Sequence, residues 1–450
     1  MKTRADVERR IAERKIEYIK VGVFDIDGIL RGKYLDTTKF LSALESGLGF
    51  CDVVLGWDSN DQLYDNVTAT GWHTAYPDAN VRLLPETMRA VPFEPNSLFV
   101  LGEFDGAMEK ICPRGVLRRV LARADALGLK ALAACEFEFF LFEETPHSVR
   151  DKHYRALTNF TPGFFGYSVL RNSVHAELHQ DLLHLCSQMN MELEGLHTET
   201  GPGVLEAALR YDEALCAADK GALFKTFAKV WAQRRGLMAT FMAKWSADWP
   251  GQSGHIHVSL QNKSGDNVFY DAGADHCMSD TQRWFVGGQQ KLMPELLAMV
   301  ASTVNAYSRM VPGLWAPLDA TWGIENRTCA LRVISGSAKA QRVEYRIAAA
   351  DINPYIAMAA AIGSGLWGIE NKIEPSAPVT GNAYAQTFPE AQKLPGTLYQ
   401  AAARLQESAA AVELFGAPFV EHYAQTRFWE EREFRKAVTD WELERYFEII

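Results

Sequence analysis

The sequence predicts an α+β fold of two domains, a small one over residues 1–105 and a large one over residues 106–450. Three observations lead to this prediction. The chain has 450 residues, more than one ordinary domain. Its first part contains mostly strand-like patterns, whereas long helical patterns alternate with short strands further on. Near residues 105–112 a strand gives way to a helix, and Pro113 stands in the first turn of that helix.

The small domain is predicted to be mostly sheet. Its elements are, in order, a helix near 3–15, strands over 18–26 and 30–35, a helix over 37–47, and a strand over 97–105. Residues 50–90 are rich in Gly, Asp and Asn, which favour turns, and we expect loops there.

The large domain is predicted to alternate long helices with short strands. Helical patterns lie near 114–127, 173–189, 207–236, 279–300, 353–369, 398–410 and 420–447. The strands over 134–142, 254–260 and 342–347 carry most of the chemically reactive side chains.

The composition excludes several classes of protein. Net charge is −10 with no basic block, which disfavours nucleic acid and anionic membranes as partners. Seven scattered cysteines form no CxxC pair, so neither a disulfide framework nor a zinc cluster is expected. The first twenty residues lack an apolar signal core and no 18-residue apolar run exists, so we expect a cytoplasmic chain that spans no membrane.

The stretch "VFDIDGIL" resembles the first motif of haloacid-dehalogenase-type phosphatases. In such an enzyme Asp25 would attack phosphate and Asp27 would act as acid and base. The Thr that usually follows the glycine is Ile29 here. A strand that ends in a tight Asp- and Gly-containing turn is the alternative interpretation.

The strand "ACEFEFFLF" places Glu136 and Glu138 on one face, because strand side chains alternate between faces. Phe137 and Phe139 take the opposite face. Two neighbouring carboxylates repel each other, so the pair requires a compensating cation. The alternative is a solvated acidic face, which the apolar surroundings disfavour.

The strand "GHIHVSL" places His255, His257 and Ser259 on one face, behind a Gly-rich "PGQSG" loop. A lone histidine would indicate core packing, whereas two in register with a serine indicate a site. Neutral imidazole is a common metal ligand.

The strand "RVEYRI" places Arg342, Glu344 and Arg346 on one face. A surface ladder of ion pairs is one interpretation. However, the run "NPYIAMAAAIGSGLWGIENK" that follows is so apolar that burial is predicted, and buried arginines commonly bind carboxylate or phosphate.

Further charged groups surround a Gly-Pro-Gly turn and two Arg-bearing segments. They are Glu194, Glu199, Glu206, Arg309, Arg327 and Arg332. Oxygen-rich sites without cysteine suit Mg²⁺ or Mn²⁺ rather than Zn²⁺. Two such metal ions beside several arginines indicate phosphoryl transfer from a nucleotide. Neither a Walker A sequence nor a kinase catalytic loop is present.

Six segments, taken in order, resemble the glutamine synthetase family, and together they extend over nearly the whole chain. They are "VFDIDGILRGK", "CEFEFF", "HTETGPGVLE", "GHIHVSL", "NRTCALRVI" and "NPYIAMAAAIGSGLWGIENKIEP". The resemblance implies a small β-grasp-like N-terminal domain and a catalytic domain with a curved antiparallel sheet flanked by helices. It also implies ATP, two or three Mg²⁺ (or Mn²⁺) ions, and a homo-oligomer of stacked hexameric rings, a dodecamer, with sites between subunits. It disfavours the phosphatase interpretation, for which the only later acidic candidate is "GDNVFYD" at 265–271, a predicted hairpin turn.

The resemblance assigns roles residue by residue. The metal ligands would be Glu136, Glu138, Glu199, Glu206, His255 and Glu344. The nucleotide would contact Glu194, Tyr211, His257, Ser259 and Arg342. Glutamate would contact Gly251, Arg309 and Arg346, and the transferred phosphate would contact Arg327 and Arg332.

The chain departs from the family where ammonia would be handled. The family has on a flap a Glu that takes a proton from ammonium, and in "VPGLWAP" Trp315 stands there. The loop that opens with Asn-Gly in the family begins Pro250–Gly251 here. The small domain lacks the usual "DGSS", leaving Asp52 or Asp58 as the acid of the amine site.

An indole cannot accept a proton, although it can stack on an amine's carbon skeleton or contact its charge. We therefore expect a ligase that joins glutamate to a larger primary amine: a monoamine, a polyamine or an aromatic amine. There are three alternatives. Trp315 could be a flap residue that only packs. The protein could also be a true glutamine synthetase that uses ammonia, or a catalytically silent structural or sensor homologue.

Overall fold

The computed structural model describes residues 3–311 and 315–450. Its first part is a five-stranded sheet with the order β2-β1-β5-β4-β3. The strands are β1 Tyr18–Phe24, β2 Leu30–Asp36, β3 Leu48–Cys51, β4 Asp78–Ala90 and β5 Ser97–Phe104, and the helices are α1 Arg4–Arg14 and α2 Thr37–Ser46. We call this part the small sheet.

The prediction of a loop-rich stretch over residues 50–90 missed β4, which pairs with both β3 and β5. Pro85 obscured this strand in the sequence, because proline cannot donate a ladder hydrogen bond. In the structure the pairing of β4 with β5 shifts register between Leu84 and Arg89, so the proline lies in an irregular stretch.

The second sheet has nine strands and supports the charged side chains singled out above. Its main path runs β12-β13-β14-β11-β6-β8-β7, with β9 and β10 both paired to β6. The strands are β6 Lys130–Phe142, β7 Leu193–Thr198, β8 Val204–Leu209, β9 Asp212–Glu213, β10 Met238–Thr240, β11 Gly254–Gln261, β12 Trp322–Ile324, β13 Leu331–Ile334 and β14 Arg342–Tyr345. We call this the large sheet; it is mixed rather than purely antiparallel, because β12 and β13 run parallel.

Helices flank the large sheet, so the predicted fold class is confirmed. They are α3 Pro113–Ala126, α4 Pro146–Asp151, α5 Val169–Val174, α6 Ala176–Gln188, α7 Ala214–Gln233, α8 Asp280–Leu296, α9 Val304–Arg309, α10 Pro354–Asn371, α11 Leu398–Glu407, α12 Ala409–Phe415, α13 Ala417–Phe434 and α14 Asp440–Tyr446. Within the described ranges, no helix is both long and apolar enough to cross a membrane.

The predicted helix over 207–236 begins only at Ala214. The residues before it pair as β8 with β6, although Leu, Ala and Glu there favour helix. Tertiary pairing overrides that local preference. Likewise, the helices predicted over 398–410 and 420–447 are each divided in two, at Ser408 and between Phe434 and Asp440.

The turn that raised the phosphatase question is a structural turn. The buried carboxylate of Asp25 accepts the backbone N–H of Asp27 at 3.0 Å and that of Ile29 at 2.8 Å. Its other oxygen accepts Arg31 Nε at 2.9 Å. Asp25 is therefore held by three donors in a buried turn, which gives no support to a nucleophilic role.

Candidate active site

One face of the large sheet brings the predicted acidic and imidazole side chains together. The strand register places them directly opposite one another, as the pairs Glu138–Glu206, Glu136–His255, His257–Glu344 and Glu344–Arg332. Opposite residues in adjacent strands have Cβ atoms about 4.5–5.5 Å apart. The side chains thus form a continuous row across β8, β6, β11, β14 and β13.

A first group of possible metal ligands consists of Glu136, His255 and Glu344, whose ligand atoms lie within 4.8 Å of one another. Nδ1 of His255 is 3.3 Å from Glu344 Oε1 and 3.7 Å from Glu136 Oε2. His257 Nε2 approaches Glu136 Oε1 to 3.1 Å on the same strand face. Burial and Arg346 lower the pKa of His255, which favours the neutral imidazole that a metal ion requires.

A second group consists of His197, Glu199 and Glu206, also within 4.8 Å of one another. The two ring nitrogens of His197 lie 3.8 Å from carboxylate oxygens of Glu199 and of Glu206. The sequence interpretation missed His197, although the alternation in "HTE" places it on the same face as Glu199. The ring of Tyr167, also missed, stacks on His197 with centroids 4.3 Å apart.

The carboxylates carry more negative charge than their surroundings balance. Burial raises the pKa of Glu206 to about 9, and Glu138, Glu136 and Glu199 add to the shift. Burial also raises the pKa of Glu138 to about 7, against the Ser253 backbone N–H and Arg309, which lower it. Glu138 and Glu206 can both be ionised only if a cation lies beside them. The donors are oxygen and imidazole nitrogen, which fit Mg²⁺ or Mn²⁺.

Two other carboxylates, Glu136 and Glu344, lie on the strands that pair with β11, and their pKa values are lowered. Burial alone would raise the pKa of Glu136, but His257 and His255 outweigh it and hold that pKa well below its usual range. For Glu344, His255 and Arg346 outweigh burial and lower the pKa to about 2. These two carboxylates are therefore ionised at neutral pH.

A cavity of about 950 Å³ opens beside the first group of ligands. Its lining includes every residue that the sequence assigned to a nucleotide: Glu194, Tyr211, His257, Ser259 and Arg342. Within it, Arg342 Nε donates to His257 Nδ1 at 3.1 Å.

The two arginines assigned to glutamate lie next to the metal-ligand groups. Arg309 is buried and donates to Ser253 Oγ at 2.8 Å and to the Ile347 carbonyl at 3.0 Å. The backbone N–H of Ser253 in turn donates to Glu138 Oε2 at 2.7 Å. Arg346 Nη1 donates to Glu344 Oε1 at 2.5 Å.

Gly251 lies against Arg309, and a Cβ at this position would come within 2.5 Å of Arg309 Cγ. A side chain at position 251 would therefore clash with Arg309 in its present position. Among the described residues, Arg346 Nε is buried and has no hydrogen-bond partner.

The arginines assigned to phosphate differ in how firmly they are held. Arg332 Nη1 donates to Glu344 Oε2 at 3.1 Å, and Arg332 Nε donates to Glu325 Oε2 at 3.0 Å. Arg327 is exposed.

The residues assigned to the amine are Trp315, Asp52 and Asp58. Trp315 is exposed, and the preceding flap residues 312–314 lie outside the described ranges. Asp52 is buried in the small sheet region, where Oδ1 accepts Thr70 Oγ at 2.8 Å. Asp58 Oδ1 accepts the backbone N–H groups of Asn60 and Gln62, both at 2.8 Å. In the described ranges, no hydrogen bond or ion pair joins either aspartate to the charged face of the large sheet.

Comparison with known proteins yields a family match over most of the chain. The model of the glutamine synthetase catalytic domain matches residues 110–446. Type-1 glutamine synthetase 2 of Dictyostelium discoideum is 44% identical, over 97% of this chain and 84% of its own. Glutamate–isopropylamine ligase of Pseudomonas sp is 37% identical, over 98% and 97% of the two chains.

Further relatives and solved structures agree with this match. Gamma-glutamylethanolamide synthetase GlnA4 of Streptomyces coelicolor is 36% identical, over 97% of this chain and 94% of its own. The solved GmaS/ADP complex superposes over 100% of both chains with a TM-score of 0.86 and 26% identity.

Proposed function

Because the chain belongs to the glutamine synthetase family, we propose that it is an ATP-dependent ligase joining the γ-carboxylate of glutamate to a primary amine. The observation that carries the proposal is Trp315 in "VPGLWAP", which the family resemblance places at the position of the flap glutamate of glutamine-forming members. Two relatives named for isopropylamine and for ethanolamide support an amine larger than ammonia. The Dictyostelium relative is named a glutamine synthetase, so ammonia remains the competing substrate.

Enzymes of this family use ATP and divalent metal ions. We propose two or three Mg²⁺ (or Mn²⁺) ions here. Glu136, His255 and Glu344 would hold an ion on the nucleotide side, and Glu138, Glu199 and Glu206 would hold one on the substrate side, with His197 beside it. When bound, these ions would neutralise charge on the transferred phosphoryl group.

The reaction has two chemical steps. An oxygen of the glutamate γ-carboxylate forms a bond to the γ-phosphorus of ATP while the bond to the β-phosphate oxygen breaks, which releases ADP. The amine nitrogen then attacks the acyl carbon of γ-glutamyl phosphate, loses a proton and expels inorganic phosphate. The product is a γ-glutamyl amide.

Different groups of side chains would carry out the parts of this reaction. Arg309 and Arg346 would hold the glutamate carboxylates by charge-assisted hydrogen bonds. Arg327 and Arg332 would stabilise the charge on the transferred phosphate. The cavity that includes Arg342 and His257 would hold the nucleotide, with Ser259, Glu194 and Tyr211 on its other walls.

We propose Asp52 rather than Asp58 as the acid of the amine site. The Asp58 carboxylate is already used to hold its own turn, whereas Asp52 Oδ2 is buried without a hydrogen-bond partner among the described residues. Aromatic rings lie nearby. Tyr76 lies next to Gly56 and Thr70, and the ring centroids of Trp72 and Tyr76 are 5.5 Å apart. A carboxylate among aromatic rings suits an ammonium group on a carbon skeleton.

By the same resemblance, we propose a cytoplasmic homo-oligomer of stacked hexameric rings, a dodecamer, in which each site lies between subunits. Asp52 would then serve the site of a neighbouring copy. Within the described ranges, Asp52 makes no hydrogen bond or ion pair to the charged face of its own chain, which supports this arrangement.

A phosphate-release assay with ATP, glutamate, Mg²⁺ and a panel of amines tests the function. The panel contains ammonia, short alkylamines, polyamines and aromatic amines. We expect an amine larger than ammonia to give the highest kcat/KM. An equal rate with ammonia would indicate glutamine synthesis, and no phosphate release with any amine would indicate a silent homologue.

A further inference from the structure

The turn between β1 and β2 contacts helices α10 and α13 beside the large sheet, and the proposed reaction assigns no role to these contacts. Asn353, which caps α10, donates its side-chain amide to the carbonyls of Asp25 at 3.1 Å and Ile26 at 3.0 Å. Gly28 has φ = 78°, and a Cβ there would lie 3.1 Å from Asn353 Cα. The turn is therefore seated directly on the beginning of α10.

Asp27 extends from this turn into a partly buried ion pair with Arg427 of α13. Arg427 Nη2 donates to Asp27 Oδ1 at 2.6 Å, and Arg427 Nη1 donates to the Ser302 carbonyl at 2.6 Å. The Arg427 side chain is only 1% exposed. A guanidinium buried to this degree keeps its place only while its partners remain.

The second partner of Arg427 lies at the beginning of α9. Ser302 precedes Thr303, the N-cap of that helix. The next residue, Val304, donates its backbone N–H to Glu430 Oε1 at 2.8 Å. Glu430 itself lies 3.6 Å from Arg427, so one ion-pair group contacts the backbone at Ser302 and Val304. Thr303 of the same turn donates to Asp351 at 2.6 Å.

The other end of α9 is Arg309, whose guanidinium lies against Ser253 next to Glu138. A helix of six residues is too short to be stable by itself, so tertiary contacts determine its position, including those of Asn305 with the Lys244 backbone. Its length is about 9 Å at 1.5 Å per residue, so a tilt at its beginning moves Arg309.

We infer that Asp27 and Arg427 form a positioning pair: Asp27 orients Arg427, Arg427 and Glu430 fix the beginning of α9, and α9 aims Arg309 at glutamate. Asp27 and Arg427 are positioning residues, because neither contacts the charged face of the large sheet. The inference rests on the proposed function in one respect, the contact between Arg309 and glutamate.

The test compares Asp27→Asn with a matched control, Asp65→Asn. Asp65 also joins the small-sheet part of the chain to α13, through Arg432 at 2.6 Å, but this pair is exposed and does not contact α9. We expect Asp27→Asn to raise the KM for glutamate about tenfold, near the low end of the loss of a charged hydrogen bond, because Arg309 is displaced and not removed. The KM for ATP should stay within about twofold of wild type. Asp65→Asn should change neither constant.

Two further variants keep the test decisive if Asp27→Asn folds poorly. Arg427→Lys keeps the charge but loses the rigid fork whose two nitrogens donate separately to Asp27 and Ser302, so it should weaken glutamate binding and leave ATP binding unchanged. Asp27→Glu restores the charge and should recover part of the loss. Glutamate binding to each folded variant, measured by calorimetry with ADP and Mg²⁺ present, gives a readout independent of turnover.

The outcomes are distinct. A glutamate KM unchanged in both Asp27→Asn and Arg427→Lys overturns the inference. ATP and glutamate constants that rise together, in proportion to a lower melting temperature, also overturn it, because the pair is then only structural. A wild-type enzyme without glutamate-dependent turnover overturns the proposed function instead.

Discussion

Glu138 on β6 lies directly opposite Glu206 on β8, so two carboxylates face each other in the middle of the large sheet. Burial raises the pKa of Glu206 to about 9 and that of Glu138 to about 7. Without a cation, one of the pair therefore holds a proton at neutral pH. A divalent ion would replace that proton, which couples metal binding to pH.

The first prediction concerns the stability of the metal-free protein. In the unfolded chain the pKa of Glu206 is near 4.5, so between about pH 4.5 and 9 the folded state binds more protons than the unfolded state. The free energy of unfolding contributed by this group is therefore fully present below pH 4.5 and is lost as pH rises towards 9.

Melting temperatures from pH 5 to 9 test this, in chelator and in excess Mg²⁺. In chelator we expect the melting temperature to fall with rising pH, and Glu206→Gln should flatten the curve because it removes the titrating group. The stabilisation by Mg²⁺ should grow with pH, since the carboxylates then bind the ion without first losing a proton. A chelated protein that grows more stable from pH 6 to 9 would contradict the prediction.

The second prediction concerns Glu138 as a metal ligand. Glu138→Ala should lower ATP turnover by about 10²-fold or more, because it removes a charge that neutralises the metal ion. Glu143→Ala is the control, since Glu143 is exposed just beyond the end of the same strand. Phosphate release near the wild-type rate in Glu138→Ala would refute the assignment of the metal site.

The third prediction separates two roles of Arg346, which donates to Glu344 and is assigned to glutamate. Arg346→Ala should raise the KM for glutamate about 10- to 150-fold, the equivalent of a lost charged hydrogen bond of about 1.5–3 kcal/mol. Arg332→Ala also loses a contact to Glu344, and it should lower kcat without this effect on glutamate. Steady-state rates against glutamate at saturating ATP measure both, and a glutamate KM unchanged in Arg346→Ala would show that this arginine is structural.

The fourth prediction concerns amine selection by Trp315. Because Trp315 replaces the family's flap glutamate, the rate with ammonia should fall by about 10²–10⁴-fold, the usual contribution of a positioned general base. A larger amine recovers part of this by burying carbon, at about 25 cal/mol per Å². Trp315→Glu should shift preference towards ammonia, whereas Trp315→Ala should weaken the larger amine without improving ammonia.

Initial rates against amine concentration, at fixed ATP and glutamate, test this for the wild type and both variants. The comparison of Glu with Ala separates a gained base from a lost contact. Use of ammonia by the wild type as efficiently as any amine in the panel would replace the ligase assignment with glutamine synthesis.

Local periodicity predicted which side chains share a face, because strand side chains alternate at a fixed period of two. It placed Glu136 beside Glu138, and His255 beside His257, and the structure has each pair on one strand face. It did not find His197, whose relation to Glu206 is a cross-strand register between β7 and β8. Register depends on pairing between segments, which no single stretch of sequence contains.

The sequence by itself determined the family, the fold class and the chemical types of the candidate site residues, since motifs and periodicity are local properties. Only the tertiary structure decided what the turn at Asp25–Gly28 does. The family resemblance already disfavoured a phosphatase nucleophile there, but the stretch Asp-x-Asp-Gly does not show what a structural turn would contact. The donors to the Asp25 carboxylate are local, but the partners that seat the turn are Asn353 and Arg427, more than three hundred residues away along the chain. Such contacts exist only once the chain has folded, because they depend on the packing of α10 and α13 against the small sheet.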